Sequence, residues 1–217
     1  TARPLARLLK VAEPPPSGFL IVGANGPARV IAKALQQLGI RVLLTDSNWE
    51  NIRAARMENL PTYFGNPASE HAESHLDLVG LGYLLALSPS GELNTLAVTR
   101  FRHEFGAQRL YTLTNSQESR RSDKHRASHE HRGQVFGKPA ITYSQLINEL
   151  HQGAEIYSTH LTDSFSWDDY QALHGQRATL LFARDSSGWV HVITPDSEVT
   201  PDTGWTVLAL IKPEAPN

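Results

Sequence analysis

Cysteine is absent from the 217-residue sequence. This excludes a disulfide framework, a thiolate metal site and a cysteine nucleophile, and it suits a reducing compartment such as the cytoplasm. Long hydrophobic runs are missing as well, because apolar stretches such as residues 19–22 and 83–87 are far shorter than the roughly 18–20 residues of a membrane-spanning helix. We therefore expect that these residues do not themselves cross a bilayer.

The sequence also has no excess of positive charge. Lys and Arg number 20 and Asp and Glu number 22, for a formal net charge of -2. A dedicated nucleic-acid-binding protein would normally carry a basic excess, so DNA and RNA are not expected partners. The chain begins at Thr1 instead of Met, and residues 1–10 lack the features of a secretory signal, so we expect a piece of a longer polypeptide.

The first half of the sequence alternates between strand and helix signals. Three prolines at 14–16 favour a stiff spacer, and residues 19–22 predict a strand buried on both faces. A glycine turn at 23–26, a helix ending at Gly39 and a strand at 42–44 complete a βαβ unit. Further strands are predicted at 62–64, 83–87 and 110–113, and one of the intervening helices is expected to carry Ala72, Leu76 and Val79. The fold class is α/β, a Rossmann-like doubly wound parallel sheet.

The second half predicts a small α+β domain. Residues 116–132 contain one hydrophobic residue, Ala127, and are expected to form an exposed connection. Beyond them, helices are predicted after Thr142 and after Ser166, a hairpin at 179–184 and 189–194, and a last strand at 205–211. The predicted organisation is a linker at 1–17, a Rossmann domain at 18–115, a polar connecting segment at 116–139 and a C-terminal domain at 140–217.

The glycine turn is the best functional signal, because a helix N-terminus offers free amides and a positive dipole end to a phosphate. On the dinucleotide pattern, Gly23, Asn25 and Ala28 occupy the three small-residue positions. Asn25 adds a side chain where the backbone should approach a pyrophosphate, although it could itself donate a hydrogen bond. Nucleotide binding and a structural turn both remain open at this point.

Polar residues follow three of the predicted strands. Asp46 ends the second strand, 23 positions after Gly23, where a carboxylate can accept hydrogen bonds from a ribose diol and would repel a 2'-phosphate. Asp46, with Ser47 and Asn48, could equally cap the next helix. Asn66 and Ser88 lie just past the third and fourth strands, at the edge where ligands of open α/β sheets bind.

Other chemistry is weakly indicated. His71 with His75 lacks an obvious third ligand, and the group of His125, His129 and His131 lies in the polar segment, where the backbone is expected to be mobile. No physiological metal is therefore expected. The sequence has no nucleophile elbow and no Walker lysine after the glycine turn, and a non-catalytic protein is expected. His160, His174 and Tyr170 could assist hydride transfer, but they are expected to be surface or packing residues.

Several stretches together resemble a known family. Residues 19–28 (FLIVGANGPA), Asp46, residues 63–66 (YFGN) and residues 92–94 (ELN) resemble a KTN/RCK (TrkA-N) domain. Residues 128–137 (SHEHRGQVFG), 153–156 (GAEI) and 204–207 (GWTV) are similar to the cytoplasmic tail of bacterial sodium/proton antiporters of the cation:proton antiporter group. The similarity covers about residues 19–211.

The resemblance implies a dimeric regulatory region joined to a transmembrane antiporter domain of the same polypeptide, on the cytoplasmic side of the bacterial inner membrane. It also implies an adenine nucleotide in the Rossmann crevice, with NAD, AMP, ATP and no ligand all open. The predicted nucleotide-binding residues are Gly23, Ala24, Asn25, Gly26, Ala28, Arg29, Asp46, Ser47, Asn66 and Ser88.

Two alternatives come from other functional classes. A soluble NAD-dependent oxidoreductase would hold its cofactor in the first domain and supply substrate groups from the second. A scaffold would have lost its ligand and kept only an interaction surface.

Overall fold

The structure, a computed structural model, describes residues 16–114 and 133–214 of the chain. The first sheet within them has six parallel strands in the order β3-β2-β1-β4-β5-β6. The strands are Gly18–Val22 (β1), Val42–Asp46 (β2), Thr62–Phe64 (β3), Leu81–Ala86 (β4), Leu110–Thr112 (β5) and Gln134–Val135 (β6). The prediction of a doubly wound parallel sheet is confirmed.

Helices cover both faces of this sheet. They are Gly26–Gln37 (α1), Trp49–Met57 (α2), Glu70–His75 (α3), Gly91–Arg100 (α4) and Arg102–Phe105 (α5). β1 shows why both faces are covered, since Phe19 and Ile21 pack with residues of α1 and α2, whereas Leu20 and Val22 pack with residues of α4 and α5. This alternation is what the apolar run at 19–22 predicts for a strand buried on both sides.

The second sheet is antiparallel, in the order β7-β10-β8-β9. Its strands are Glu155–His160 (β7), Ala178–Arg184 (β8), Val190–Val192 (β9) and Thr206–Ile211 (β10), and its helices are Tyr143–His151 (α6) and Trp167–His174 (α7). Both helices begin at a capping box, formed by Thr142 with Gln145 and by Ser166 with Asp169. The predicted helices, hairpin and last strand are therefore confirmed.

The two sheets share one hydrophobic core. Phe19 of β1 stacks on Tyr83 with ring centroids 4.9 Å apart and meets Phe182 of β8 edge-on at 5.6 Å. Phe136, which follows β6, lies 5.2 Å from Phe182, and both rings are buried. Leu208 of β10 belongs to the same cluster. The second sheet thus packs against the α1 side of the first.

Three features differ from the sequence predictions. The helix expected to carry Leu76 and Val79 ends at His75, so that prediction is wrong. The reason is local, because Asp77 accepts a hydrogen bond from the Val79 amide and pairs with Arg41, which competes with further helix.

The other two differences are strands that were not predicted. β6 lies inside the predicted connecting segment 116–139 and pairs in parallel with β5, and β7 forms an exposed edge of the second sheet. The prolines at 14 and 15 and the histidines at 125, 129 and 131 lie outside the described residues, and the interpretations of the linker and of that histidine group stay predictions.

The Asp185 carboxylate holds the turn of the β8–β9 hairpin through several hydrogen bonds. It accepts hydrogen bonds from the amides of Ser187 and Trp189, from the Ser187 hydroxyl, and it pairs with His191 Nε2 at 3.0 Å. Burial opposes ionisation of this carboxyl, but the hydrogen bonds together outweigh it and lower its pKa to about 2. The charged form therefore stabilises the folded hairpin.

We expect Asp185→Asn to lower the free energy of unfolding by about 1–2 kcal/mol at neutral pH. A carboxyl whose pKa is lower in the folded state contributes stability above its unfolded pKa of about 4, and that contribution is lost as pH falls toward 2. Urea titrations at several pH values should therefore show the difference between variant and wild type shrinking over this window. Asp196→Asn, at an exposed loop position, should match wild type throughout.

Candidate functional site

A cleft opens at the carboxyl ends of the parallel strands, where ligands of open α/β sheets bind. Its cavity is about 80 Å³. The strand order reverses between β1 and β4, since the chain runs from β1 to β2 and β3 on one side before it returns to β4 on the other. The cleft is lined by Gly23, Thr45, Asp46, Ser47, Asn66, Pro67, Ser88 and Leu93. Five predicted residues are thus brought together, namely Gly23, Asp46, Ser47, Asn66 and Ser88.

Gly23 begins the turn between β1 and α1. Its φ is +107°, a conformation that side-chain-bearing residues rarely adopt, and its amide donates to Thr45 O at 2.7 Å. A Cβ atom here would lie 2.8 Å from Asn25 Nδ2 and 3.2 Å from Leu87 O. Glycine is therefore required both by the backbone and by the close approach of Asn25.

Asn25 is the N-cap of α1 and its side chain is buried. Its Oδ1 accepts a hydrogen bond from the Ala28 amide at 3.1 Å, which is the usual N-cap contact. Its Nδ2 donates to Leu87 O, just beyond β4, at 2.9 Å. Asn25 does donate a hydrogen bond, as the sequence suggested, but the acceptor is a carbonyl of the protein itself. The side chain joins the start of α1 to the end of β4.

Asp46 anchors the opposite side of the turn. Its Oδ2 accepts hydrogen bonds from the Ala24 amide and from Asn51 Nδ2, each at 2.9 Å, and its Oδ1 accepts one from the Asn48 amide at 2.8 Å. The N-cap of α2 is Asn48, whose side chain accepts from the Glu50 amide. An ionised carboxylate offers about four acceptor positions. Three are occupied within the protein, and the fourth has no hydrogen-bond partner among residues 16–114 and 133–214.

Two predicted residues lie on a different side of α1. Arg29 donates through Nε to Glu58 Oε1 at 2.9 Å and through Nη1 to Ala24 O at 2.8 Å. Burial opposes ionisation of Glu58, but hydrogen bonds from Lys33 and Arg29 hold its pKa below the ordinary value. Arg29 and Gly26 line a separate hollow of about 360 Å³ between α1 and α6. Neither residue lines the cleft, and their nucleotide-binding role stays a prediction.

Two residues that contribute to the cleft's surroundings were not among the predicted site residues. Asn94 of α4 is buried and bonds both backbone groups of Ser88, accepting from its amide at 3.1 Å and donating to its carbonyl at 2.8 Å. The sequence feature that identifies Asn94 is its polar side chain on the otherwise apolar, buried face of α4. Tyr143, at the start of α6, has a raised pKa because it is buried and, after that, because of the charge of Asp46. No local pattern marks Tyr143, because it comes from the second sheet's half of the chain.

Comparison with known proteins places the sequence in a family. The family model described as TrkA-N domain matches residues 19–128. This chain belongs to the TrkA-N family. The resemblance inferred from the glycine turn and Asp46 is confirmed at the level of this domain. No curated protein matches the sequence.

Several solved structures are similar to this TrkA-N chain, but their sequence identities are low. The NAD(P)-binding domain of an exopolyphosphatase-related protein from Archaeoglobus fulgidus is 16% identical, with a TM-score of 0.46, over 62% of this chain and 94% of that one. The TrkA-N domain of inner membrane protein ybaL from Escherichia coli is 15% identical, with a TM-score of 0.40, over 47% and 76%.

A GsuK channel bound to NAD is 12% identical, with a TM-score of 0.42, over 97% of this chain and 41% of that one. This TrkA-N chain therefore spans less than half the length of the GsuK channel chain. All three identities are below 25% and all three TM-scores are below 0.5, so the family assignment rests on the TrkA-N match.

The histidines of this TrkA-N chain do not form a metal centre where the structure describes them. The rings of His71 and His75 stack with centroids 4.0 Å apart, and His75 Nδ1 lies 2.8 Å from His71 O. No group of three or more His, Asp or Glu side chains within residues 16–114 and 133–214 is arranged to hold a metal ion. In the same ranges no helix combines the length and the apolar character needed to span a bilayer.

The residues considered for hydride transfer lie away from the cleft. Tyr170 is buried in the second half of the chain, stacked on Trp167 with centroids 5.3 Å apart and next to His174. Burial raises its pKa to about 12, so the phenol stays neutral at physiological pH. His160 lies on β7 and contacts Thr206. Among the described residues that line the cleft, Asp46 is the one with an ionisable side chain.

Proposed function

We propose that this TrkA-N chain is the cytoplasmic regulatory region of a bacterial monovalent cation:proton antiporter, and that an adenine nucleotide in the cleft shifts transport activity. The observation that carries the nucleotide site is Asp46, which lines the cleft at the end of β2 and has one acceptor position that no described residue uses. The TrkA-N match and the sequence similarity to antiporter tails support the transporter context.

The cleft chemistry suits an unphosphorylated ribose. A hydroxyl of the ribose diol donates to the remaining acceptor position of Asp46, and the negative charge of this carboxylate repels a 2'-phosphate. Ser47, Asn66 and Ser88 add hydroxyl and amide groups around the same cavity. NAD and the adenine mononucleotides AMP and ATP satisfy this requirement, and NADP does not.

The proposed role is regulatory and not catalytic. The cleft lining contains neither histidine nor lysine beside Asp46, so the described residues supply no acid and base pair there. Regulation then works by linkage. A ligand shifts the antiporter only by binding one arrangement of the dimer more tightly than the other, which typically amounts to about 1–3 kcal/mol. The dimer and the transmembrane domain of the same polypeptide are part of this proposal.

Calorimetry with NAD, NADH, AMP, ADP and ATP tests the nucleotide site. We expect at least one adenine nucleotide to bind, and Asp46→Asn to weaken that binding by about tenfold to a hundredfold, because a charge-assisted hydrogen bond is lost. Asp77→Asn is the matched control. Asp77 is an exposed carboxylate that pairs with Arg41, outside the cleft lining, and its replacement should leave affinity unchanged.

The result that contradicts the proposal is an absence of binding heat and of any thermal shift with all five nucleotides. One observation favours that alternative, a scaffold without ligand, because the amides of Ala24 and Ala28 are already bonded to Asp46 and Asn25. The antiporter context has a separate test. The coding sequence upstream of Thr1 is expected to encode an array of hydrophobic helices.

A further inference from the structure

We propose that Asn25 restricts the cleft to adenine mononucleotides by closing the crevice that a dinucleotide would have to cross. This inference rests on the proposed nucleotide site and specifies its ligand class. It concerns the buried side chain that links the start of α1 to the end of β4.

The position of this link determines whether a dinucleotide can lie across the crevice. In a Rossmann fold a dinucleotide lies across the crevice where the strand order reverses, with its pyrophosphate over the glycine turn. Here the reversal falls between β1 and β4. The hydrogen bond from Asn25 Nδ2 to Leu87 O, 2.9 Å long, connects the elements on the two sides of that crevice. A mononucleotide held at Asp46 ends at its phosphates and has no second nucleoside to place beyond the link.

The link is held at both ends and has little room to move. Oδ1 accepts from the Ala28 amide, Nδ2 donates to Leu87 O, and the residue is 7% exposed. Swinging the side chain out would leave a buried carbonyl and a buried amide without partners, which is costly. On its other side it lies against Gly23, where even an added Cβ would come within 2.8 Å of Nδ2.

The backbone amides that usually bind a pyrophosphate already donate hydrogen bonds within the protein. A phosphate at a helix N-terminus binds through unpaired backbone N-H groups. The Ala28 amide is bonded to Asn25 Oδ1 and the Ala24 amide to Asp46 Oδ2. A dinucleotide's pyrophosphate is fixed over the turn by a nucleoside at each end and would have to displace both contacts. The phosphates of a mononucleotide are free at one end and can extend into solvent while its ribose hydroxyl bonds Asp46.

The test compares AMP, ATP and NAD on three variants of this protein by calorimetry. For wild type we expect AMP or ATP to bind at least tenfold more tightly than NAD. Asn25→Gly removes the link and keeps a residue tolerated at an N-cap, so the affinity for NAD relative to the affinity for AMP should rise at least tenfold. Asn25→Ser keeps a hydroxyl that can cap α1 but removes the Nδ2 donor, and it should gain NAD affinity as well. Asn59→Gly is the matched control at an exposed residue with φ +59°, and it should behave as wild type.

The outcomes separate this inference from the proposed function. NAD binding to wild type as tightly as AMP, or no NAD gain in either Asn25 variant, would overturn the role of Asn25 and leave the nucleotide site standing. An equal NAD gain in Asn59→Gly would also overturn it. Absence of binding by every ligand to every folded variant would overturn both. Circular dichroism and thermal melts show that the variants compared are folded.

Discussion

Replacing Phe182 with alanine should lower the free energy of unfolding by about 3–5 kcal/mol, as truncation of a fully buried aromatic ring does. Phe182 is 1% exposed and contacts Phe19 of the first sheet edge-on and Phe136 after β6. The loss combines the apolar area, the cavity left behind and the two aromatic contacts. Because the ring bridges both sheets, we expect the two halves of the chain to lose stability together.

Urea unfolding followed by two probes measures this effect. Far-ultraviolet circular dichroism reports both sheets, and tryptophan fluorescence is dominated by the second half, which contains three of the four tryptophans. In Phe182→Ala both midpoints should shift by the same amount. Leu173→Ala, at a residue 55% exposed on α7, should change stability by less than about 0.5 kcal/mol. A fluorescence midpoint that shifts while the circular dichroism midpoint stays would show that the sheets unfold independently.

The shared core also bears on how a ligand could be sensed. The charge of Asp46 contributes, after burial, to the raised pKa of Tyr143 at the start of α6, and β8 packs against β1 through Phe182 and Phe19. A nucleotide bound at Asp46 would therefore act next to elements from both halves of the chain. This arrangement supports the proposed regulatory role, since a differential contact is needed before a ligand can shift an equilibrium.

Local signals predicted most of the first sheet. The apolar runs before Gly23 and Asp46 identify β1 and β2, because strands covered on both faces by helices need continuous apolar sequence. β6 and β7 were missed for the opposite reason. β6 has two partly buried residues, and β7 is an edge strand whose residues are largely exposed, so neither carries the expected pattern. Their pairing is decided by distant strands and not by local sequence.

The site was predictable where a general rule applies to a strand end. Asp46, Asn66 and Ser88 converge because the carboxyl ends of parallel strands lie along one edge. Closeness in sequence to Gly23 was less successful at predicting which side chains line the cleft. Arg29 is only six residues from Gly23, yet its side chain pairs with Glu58 on another side of α1. The closure by Asn25 depends on Leu87, 62 positions away, and no sequence pattern reports that contact.

Replacing Gly18 with alanine should cost about 2–3 kcal/mol of stability through overpacking. Gly18 begins β1 and is not in a left-handed conformation, so the requirement is for space and not for backbone freedom. An added Cβ would lie 2.8 Å from Gly80 O, 2.8 Å from Leu81 Cδ2 and 2.9 Å from Arg41 O. The two carbonyls lie on opposite sides of β1, since Gly18 N bonds Gly80 O and Phe19 N bonds Arg41 O. Neither can move away without separating β1 from a neighbouring strand.

Gly26→Ala is the matched control for this substitution. Gly26 is the first residue of α1, its φ is not positive, and an added Cβ would meet no atom within 4 Å. Alanine there should be neutral or stabilise the protein by about 0.4–1 kcal/mol, because it reduces the entropy of the unfolded chain. Urea unfolding monitored by circular dichroism distinguishes the two variants. Equal stabilities for Gly18→Ala and Gly26→Ala would mean that the backbone of β1 does not approach the residues before β2 and β4 this closely. The clash at Gly18 follows directly from the short distances to Gly80 O and Arg41 O.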